Sequence, residues 1–191
     1  SLFYESFNDC DGTGGNDDLW SGSIAQGTFS PDNGGWSSSS SFGANQCAKF
    51  GSSKNLGEVT TPSFTVNGTA TFTFRAAPWA SDGTLLTLSV SSGATISPSS
   101  FTMKENQWTD FTATITGTGN VKVTFTPTKR FFLDEVKASA PSQTGIKGIT
   151  TNPSDKRADN KIYTLDGRFI GTDASVLPHG IYVIGGKKIV K

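Results

Sequence analysis

The hydrophobic side chains of this chain recur at every second residue almost everywhere, a period that admits strands and little else. Phe72 and Phe74 share one face of residues 70–75, and Leu86, Leu88 and Val90 share one face of residues 84–90. Phe111, Ala113 and Ile115 repeat the pattern in 109–116, as do Val121, Val123 and Phe125 in 121–125. Between them stand mostly Thr and Ser, which suit a solvated outer face. No segment shows the apolar stripe of an amphipathic helix. Turn-forming clusters punctuate the pattern at Asn67-Gly68, Asp82-Gly83, 91–93 and 117–120. Short alternating strands separated by such turns predict an all-β fold, a sandwich or a barrel.

Hydrophobic residues make up only 34% of the chain, but 14 Phe and 4 Trp raise the area available for burial. Each large aromatic buries roughly 150–250 Å², so a few suffice for a thin sandwich core. The alternation runs through residues 1–140, the expected sandwich. Residues 141–157 read as a linker, with Pro141 and Pro153 and one short strand candidate at 146–150. Residues 158–191 read as a small C-terminal β module of hairpins. Asp166-Gly167 and Gly185-Gly186 each separate a pair of apolar runs by two residues, the strongest short-range hairpin signal.

Sixteen basic and sixteen acidic residues give zero formal charge. That balance predicts no electrostatic footprint for nucleic acid or an anionic membrane. No run is long and apolar enough to suggest a transmembrane segment. No signal peptide is visible in the strand-like opening, so an exported chain would be in its mature form. Cys10 and Cys47 lie in Gly/Asn-rich sequence far from His179, the single histidine, which disfavours a Cys/His metal site. One reading is a disulfide, worth about 4 kcal/mol on the chain-entropy model. The other is two unrelated buried thiols.

Two acids break the apolar pattern. Strict alternation puts Phe3, Glu5 and Phe7 on one face of the first strand, and Phe132, Asp134 and Val136 on one face of residues 131–136. A buried carboxylate must be protonated, paired or metal-bound. In antiparallel jelly rolls the first and last strands commonly pair, which would set Glu5 beside Asp134, where like charges repel unless a cation lies between. Hard oxygen ligands favour Ca²⁺, with Asn8 and Asp32 as further donors beside Asp9, Asp11 and Asn33. The alternatives are a bulge that turns either acid to solvent, or an ion pair with Arg75 or Arg130. An EF-hand over residues 9–20 is excluded, because its twelfth position is Trp20 and not Glu.

Catalysis finds little support. His179 sits in a Pro-His-Gly turn with no nucleophile motif near it. Gly12-Thr13-Gly14-Gly15 lacks the Lys and following helix of a phosphate loop. The chain therefore reads as a non-enzymatic module, either carbohydrate-binding-like or a structural or adhesion protein that contacts other proteins and has no sugar site. Trp20, Trp36 and Trp79, the last followed by Asp82, each lie in a polar loop where an exposed ring could stack on a sugar. The competing reading is that each caps an end of the core. Trp108 leads into the alternating run after it and reads as packing.

The opening Phe3-Tyr4-Glu5-Ser6-Phe7, the stretch from Gly14 to Trp20, the Trp108–Gly117 segment and the closing Phe131-Phe132-Leu133-Asp134-Glu135-Val136 resemble secreted jelly-roll modules of Bacteroidetes. These are similar to carbohydrate-binding modules and cleaved-adhesin domains. The resemblance implies a jelly-roll or galactose-binding-like β-sandwich, secreted or on the outer cell surface, with a glycan or a surface protein as partner. It also implies a structural calcium tying the opening Glu to the Asp of the last strand. Residues 158–191 resemble type IX secretion sorting domains, through Ile162–Arg168, Leu177–Ile184 and the closing Gly186–Lys191.

Overall fold

A computed structural model describes residues 1–91, 93–141 and 161–190. The chain divides into two compact units, Ser1–Ser142 and Gln143–Lys191. The strand expected at 146–150 lies outside the described residues.

The first unit is an antiparallel β-sandwich. One sheet contains β1 (Phe3–Glu5), β3 (Ser41–Gly43), β4 (Ala48–Phe50), β6 (Phe64–Pro78), β8 (Thr95–Ser97), β10 (Thr109–Val121) and β12 (Phe131–Ser139). Its order is β3-β4-β12-β6-β10-β8, with β1 also paired to β12. The other sheet comprises β2 (Ser37–Ser38), β5 (Val59–Thr60), β7 (Leu85–Val90), β9 (Ser100–Thr102) and β11 (Val123–Pro127), in the order β2-β5-β11-β7-β9. The chain passes from one sheet to the other at Lys122, between β10 and β11.

The alternating apolar residues meet between the sheets. Phe72 and Phe74 from β6 reach Phe125 from β11 at ring-centroid distances of 5.9 and 5.1 Å. Leu86, Leu88, Ile115, Val123 and Phe131 complete the same core. The Thr residues between them line the outer faces, as their period requires. Two expected turns are not turns. Asn67-Gly68 lies inside β6 and Gly117–Asn120 inside β10, with Gly68 opposite Gly117 in one continuous ladder. Both glycines take positive φ, +87° and +156°, and a Cβ at Gly117 would come within 2.8 Å of Ala94, so glycine suits the ladder there.

The first and last strands of the sandwich pair as expected, with Glu5 opposite Val136. A bulge nevertheless separates the two acids. Between Asp134↔Arg75 and Lys137↔Thr73, two residues of β12 oppose one of β6, and Glu135 takes φ +51°. Val136 therefore packs in the sandwich core with Leu133, whereas Asp134 keeps the side of Phe132. Phe132 belongs to a second apolar cluster on the outer side of the sheet, with Trp20, Ile24, Ala44, Cys47, Ala77, Trp79 and the half-buried Trp108. Residues 11–27 fold over this face, through hydrogen bonds such as Ala25 to Thr13 and Ala80 to Trp20.

The second unit is a four-stranded antiparallel sheet of β13 (Ile162–Thr164), β14 (Phe169–Gly171), β15 (Ile181–Ile184) and β16 (Lys187–Val190), ordered β14-β13-β15-β16. Both turn signals close hairpins, Gly185-Gly186 as a two-residue turn and Asp166-Gly167 within the longer connection 165–168, with Gly167, Gly185 and Gly186 at positive φ. Among the described residues of this sheet only Ile162 and Tyr182 are buried, and Phe169, Ile181 and Val190 stand exposed on one face. Among the described residues no helix is long and apolar enough to cross a membrane.

Candidate functional site

Glu5 is fully buried and saturated with donors. Its Oε1 accepts from the Asn33 backbone N–H at 3.1 Å, Asn33 Nδ2 at 3.3 Å and the Trp36 indole at 2.9 Å. Its Oε2 accepts from the Asp32 N–H at 2.7 Å and the Phe7 N–H at 3.1 Å. Phe7, at φ +52°, turns its N–H back to the acid two residues before it. Asp32 points elsewhere: its Oδ2 accepts from the backbone and hydroxyl of Ser6 at 2.8 and 2.6 Å. The Ser6 hydroxyl bond is the main cause that holds the Asp32 carboxyl below its ordinary value. Asn8 is exposed.

Asp134 has a different set of partners. Its Oδ2 accepts from Arg75 Nη2 at 2.9 Å, Arg75 Nε at 3.2 Å and Asn16 Nδ2 at 3.3 Å. Arg75 Nη2 also donates to Asn16 Oδ1. Asp134 Oδ1 is buried with no partner. Burial, opposed by the Arg75 bond, pushes this carboxyl up to about 6. The Arg75 guanidinium, its side chain 28% exposed, lies 4.5 Å from the Trp108 ring centroid. The Trp108 indole N–H is buried and has no partner. Exposed Asp110 stands opposite Arg75 in the ladder.

The expected calcium ligands do not form one cage. Glu5 has no oxygen without a donor in front of it, and Asp32 Oδ2 is held by Ser6. Asp134 keeps one open oxygen on the other side of the sheet, whereas Ca²⁺ takes about 6–8 oxygen ligands. Among the described residues no group of three or more His, Cys, Asp or Glu is placed to hold a metal ion. The alternative of an ion pair between Arg75 and an acid is the arrangement Asp134 adopts.

The loop tryptophans turn inward, which corrects the expected sugar platform. Trp20 is 7% exposed, donates its indole N–H to Asp18 at 2.9 Å and meets Phe132 edge-on at 5.5 Å. Trp79 is 8% exposed and stacks on Phe132 at 5.7 Å. Trp36 stacks on Phe50 at 6.3 Å while its N–H holds Glu5. Asp82 accepts two bonds from Arg130, one of them from Nη2 at 3.1 Å. The reading that each ring caps the core is the one their packing fits. A polar loop conceals this, because its polar residues face out while the ring turns down onto the sheet.

Lys49 escaped sequence reasoning. It lies in β4 on the outer side of the sheet, opposite Phe42 and Phe132, and is only 6% exposed. Its ammonium sits 4.6 Å from the ring centroids of both Phe42 and Trp79. Burial first, then the Arg130 charge, pushes Lys49 down to about 8.

The two cysteines are free thiols, which corrects the expected disulfide. Cys10 packs in the sandwich core and Cys47 in the outer cluster, so their side chains belong to different layers. Burial raises both, Cys47 to about 12. We expect neither to react with a thiol reagent in the native chain at mildly alkaline pH, and both to react once unfolded. Reducing agent leaves the melting temperature unchanged, and a reductant-dependent drop would restore the disulfide.

No protein-family model and no curated protein matches the chain. Among solved structures, a ruminal GH26 endo-beta-1,4-mannanase is similar over 80% of this chain, at 18% identity and a TM-score of 0.38. The match covers 29% of that enzyme, so this chain spans less than a third of its length.

Proposed function

We propose that the chain is a non-catalytic module, secreted or displayed on the outer cell surface, whose sandwich contacts a glycan. The observation that carries this reading is the half-exposed Arg75–Trp108 stack at one end of a threonine-lined sheet face. Arg75 lies between Asp110 and Asp134 in the ladder. The next ranks are Thr112, Thr73 and Lys137, then Ser97, Thr114, Thr71 and Ser139. Guanidinium, carboxylate and hydroxyl groups around the border of an indole are suited to the hydroxyls of a neutral sugar chain.

A glycan array probed with the full chain tests the reading, with Asp110→Ala as the control because Asp110 is exposed and its loss leaves the packing intact. We expect binding that Asp110→Ala weakens roughly tenfold, ~1.4 kcal/mol. An array with no bound glycan would end it. A protein partner is the second reading, favoured by the second unit. Its small sheet exposes Phe169, Ile181 and Val190 on one face, and a sheet so poor in buried residues gains from a partner. The sorting-domain likeness of residues 158–191 fits the same reading.

A further inference from the structure

The charge of each buried acid in the sandwich is met by groups of the chain itself. Five N–H donors converge on the two oxygens of Glu5 at 2.7–3.3 Å. A carboxylate offers about four lone-pair sites, so none is left directed at a further ligand. Each N–H puts the positive end of a dipole where a hard cation would need to sit. At Asp134 the Arg75 guanidinium, 2.9 Å from Oδ2, supplies the positive charge that an ion would bring. A divalent ion at the open Oδ1 would press against that guanidinium. The Glu135 bulge places the two acids on opposite sides of the sheet, so one ion cannot bridge them.

We infer that the buried acids of the first and last strands are each held by the protein's own donors, and that the sandwich folds without a divalent cation. Glu5 is the more completely held of the two. Four of its five donors come from residues 32–36, so the acid ties that loop to β1 and holds Trp36 on Phe50. The inference is independent of what the sandwich binds.

Thermal melts of the full chain in millimolar EDTA and in millimolar CaCl2 test it, with calorimetric titration of CaCl2 alongside. Wild type melts at the same temperature in both media, and the titration shows no saturable heat. Glu5→Gln puts an amide NH2 among N–H donors, and we expect it to lower the melting temperature by ~5–10 °C, equally in both media. Trp36→Phe removes one donor and keeps the ring stacking. It lowers the melting temperature less, again equally, and carries the comparison if Glu5→Gln does not fold. A wild-type melting temperature that falls on chelation and returns with Ca²⁺ would overturn the inference. Saturable Ca²⁺ binding that Trp36→Phe or Glu5→Gln abolishes would do the same.

Discussion

Replacing Lys49 with Met should stabilise the sandwich by about 2 kcal/mol near neutral pH, raising the melting temperature by ~5 °C or more. The ammonium is nearly enclosed between Phe42 and Trp79, and its neighbours add repulsion from Arg130. Asp82, which would favour it, is committed to Arg130. Moving its pKa from 10.5 to about 8 corresponds to about 3 kcal/mol against the folded state. Losing two cation–π contacts returns ~1 kcal/mol, and Met fills the same slot with a thioether suited to aromatic rings.

The sign with pH is distinctive. A lysine depressed in the folded state binds more protons when the chain is unfolded, so its penalty fades as pH rises from about 8 toward 10.5. The raised thiols act the other way above their ordinary value of 9.0, because the folded state keeps protons that the unfolded state sheds. The wild-type curve alone therefore mixes opposing slopes. The difference between Lys49→Met and wild type isolates the lysine: largest at pH 7, shrinking to near zero by pH 10.5. Denaturant unfolding at several pH values measures it. A variant less stable than wild type at pH 7 would show that the aromatic contacts outweigh the burial.

The second large effect concerns Arg75. Arg75→Met should destabilise the chain by about 1–2 kcal/mol at neutral pH, because Asp134 loses its charged partner, keeps only Asn16 and, already raised to about 6, takes up a proton. Adding Asp134→Leu in the same chain should recover most of that loss. An apolar pair fits the outer cluster beside Phe132 and leaves no charge to desolvate. The double variant thus comes out closer to wild type than Arg75→Met does, and a double-mutant cycle reads the coupling. Additive effects would mean that the pair is not the unit the geometry indicates.

The sandwich is legible because its core obeys the alternation that the sequence displays: Phe72, Phe74, Leu86, Leu88, Ile115 and Val123 all face inward. The pairing of the terminal strands and both hairpins of the second unit obey the same logic. Three things are not legible, each for a local reason. Asn67-Gly68 and Gly117–Asn120 read as turns but lie inside long strands, because only the partner's register tells the two apart. The bulge at Glu135 adds one residue to the ladder, and a strict period of two cannot register it, so alternation puts Asp134 with Val136. The folding of residues 11–27 over the outer sheet face turns Trp20 inward, and Phe42 and Trp79 enclose Lys49. A lysine between Ala48 and Phe50 in a short strand gives no sign of such neighbours. Alternation alone marks Glu5 as a buried acid, but four of its five donors come from residues 32–36, and no local pattern joins them.

Where residues 11–27 lie over the sheet, the first half of β12 has no wet side. Phe131 and Leu133 look into one apolar layer, and Phe132 into the other. A strand insulated on both sides cannot fray by admitting solvent along one surface. It opens only when roof and sandwich separate together, which welds an irregular loop into the same cooperative event as the core beneath it.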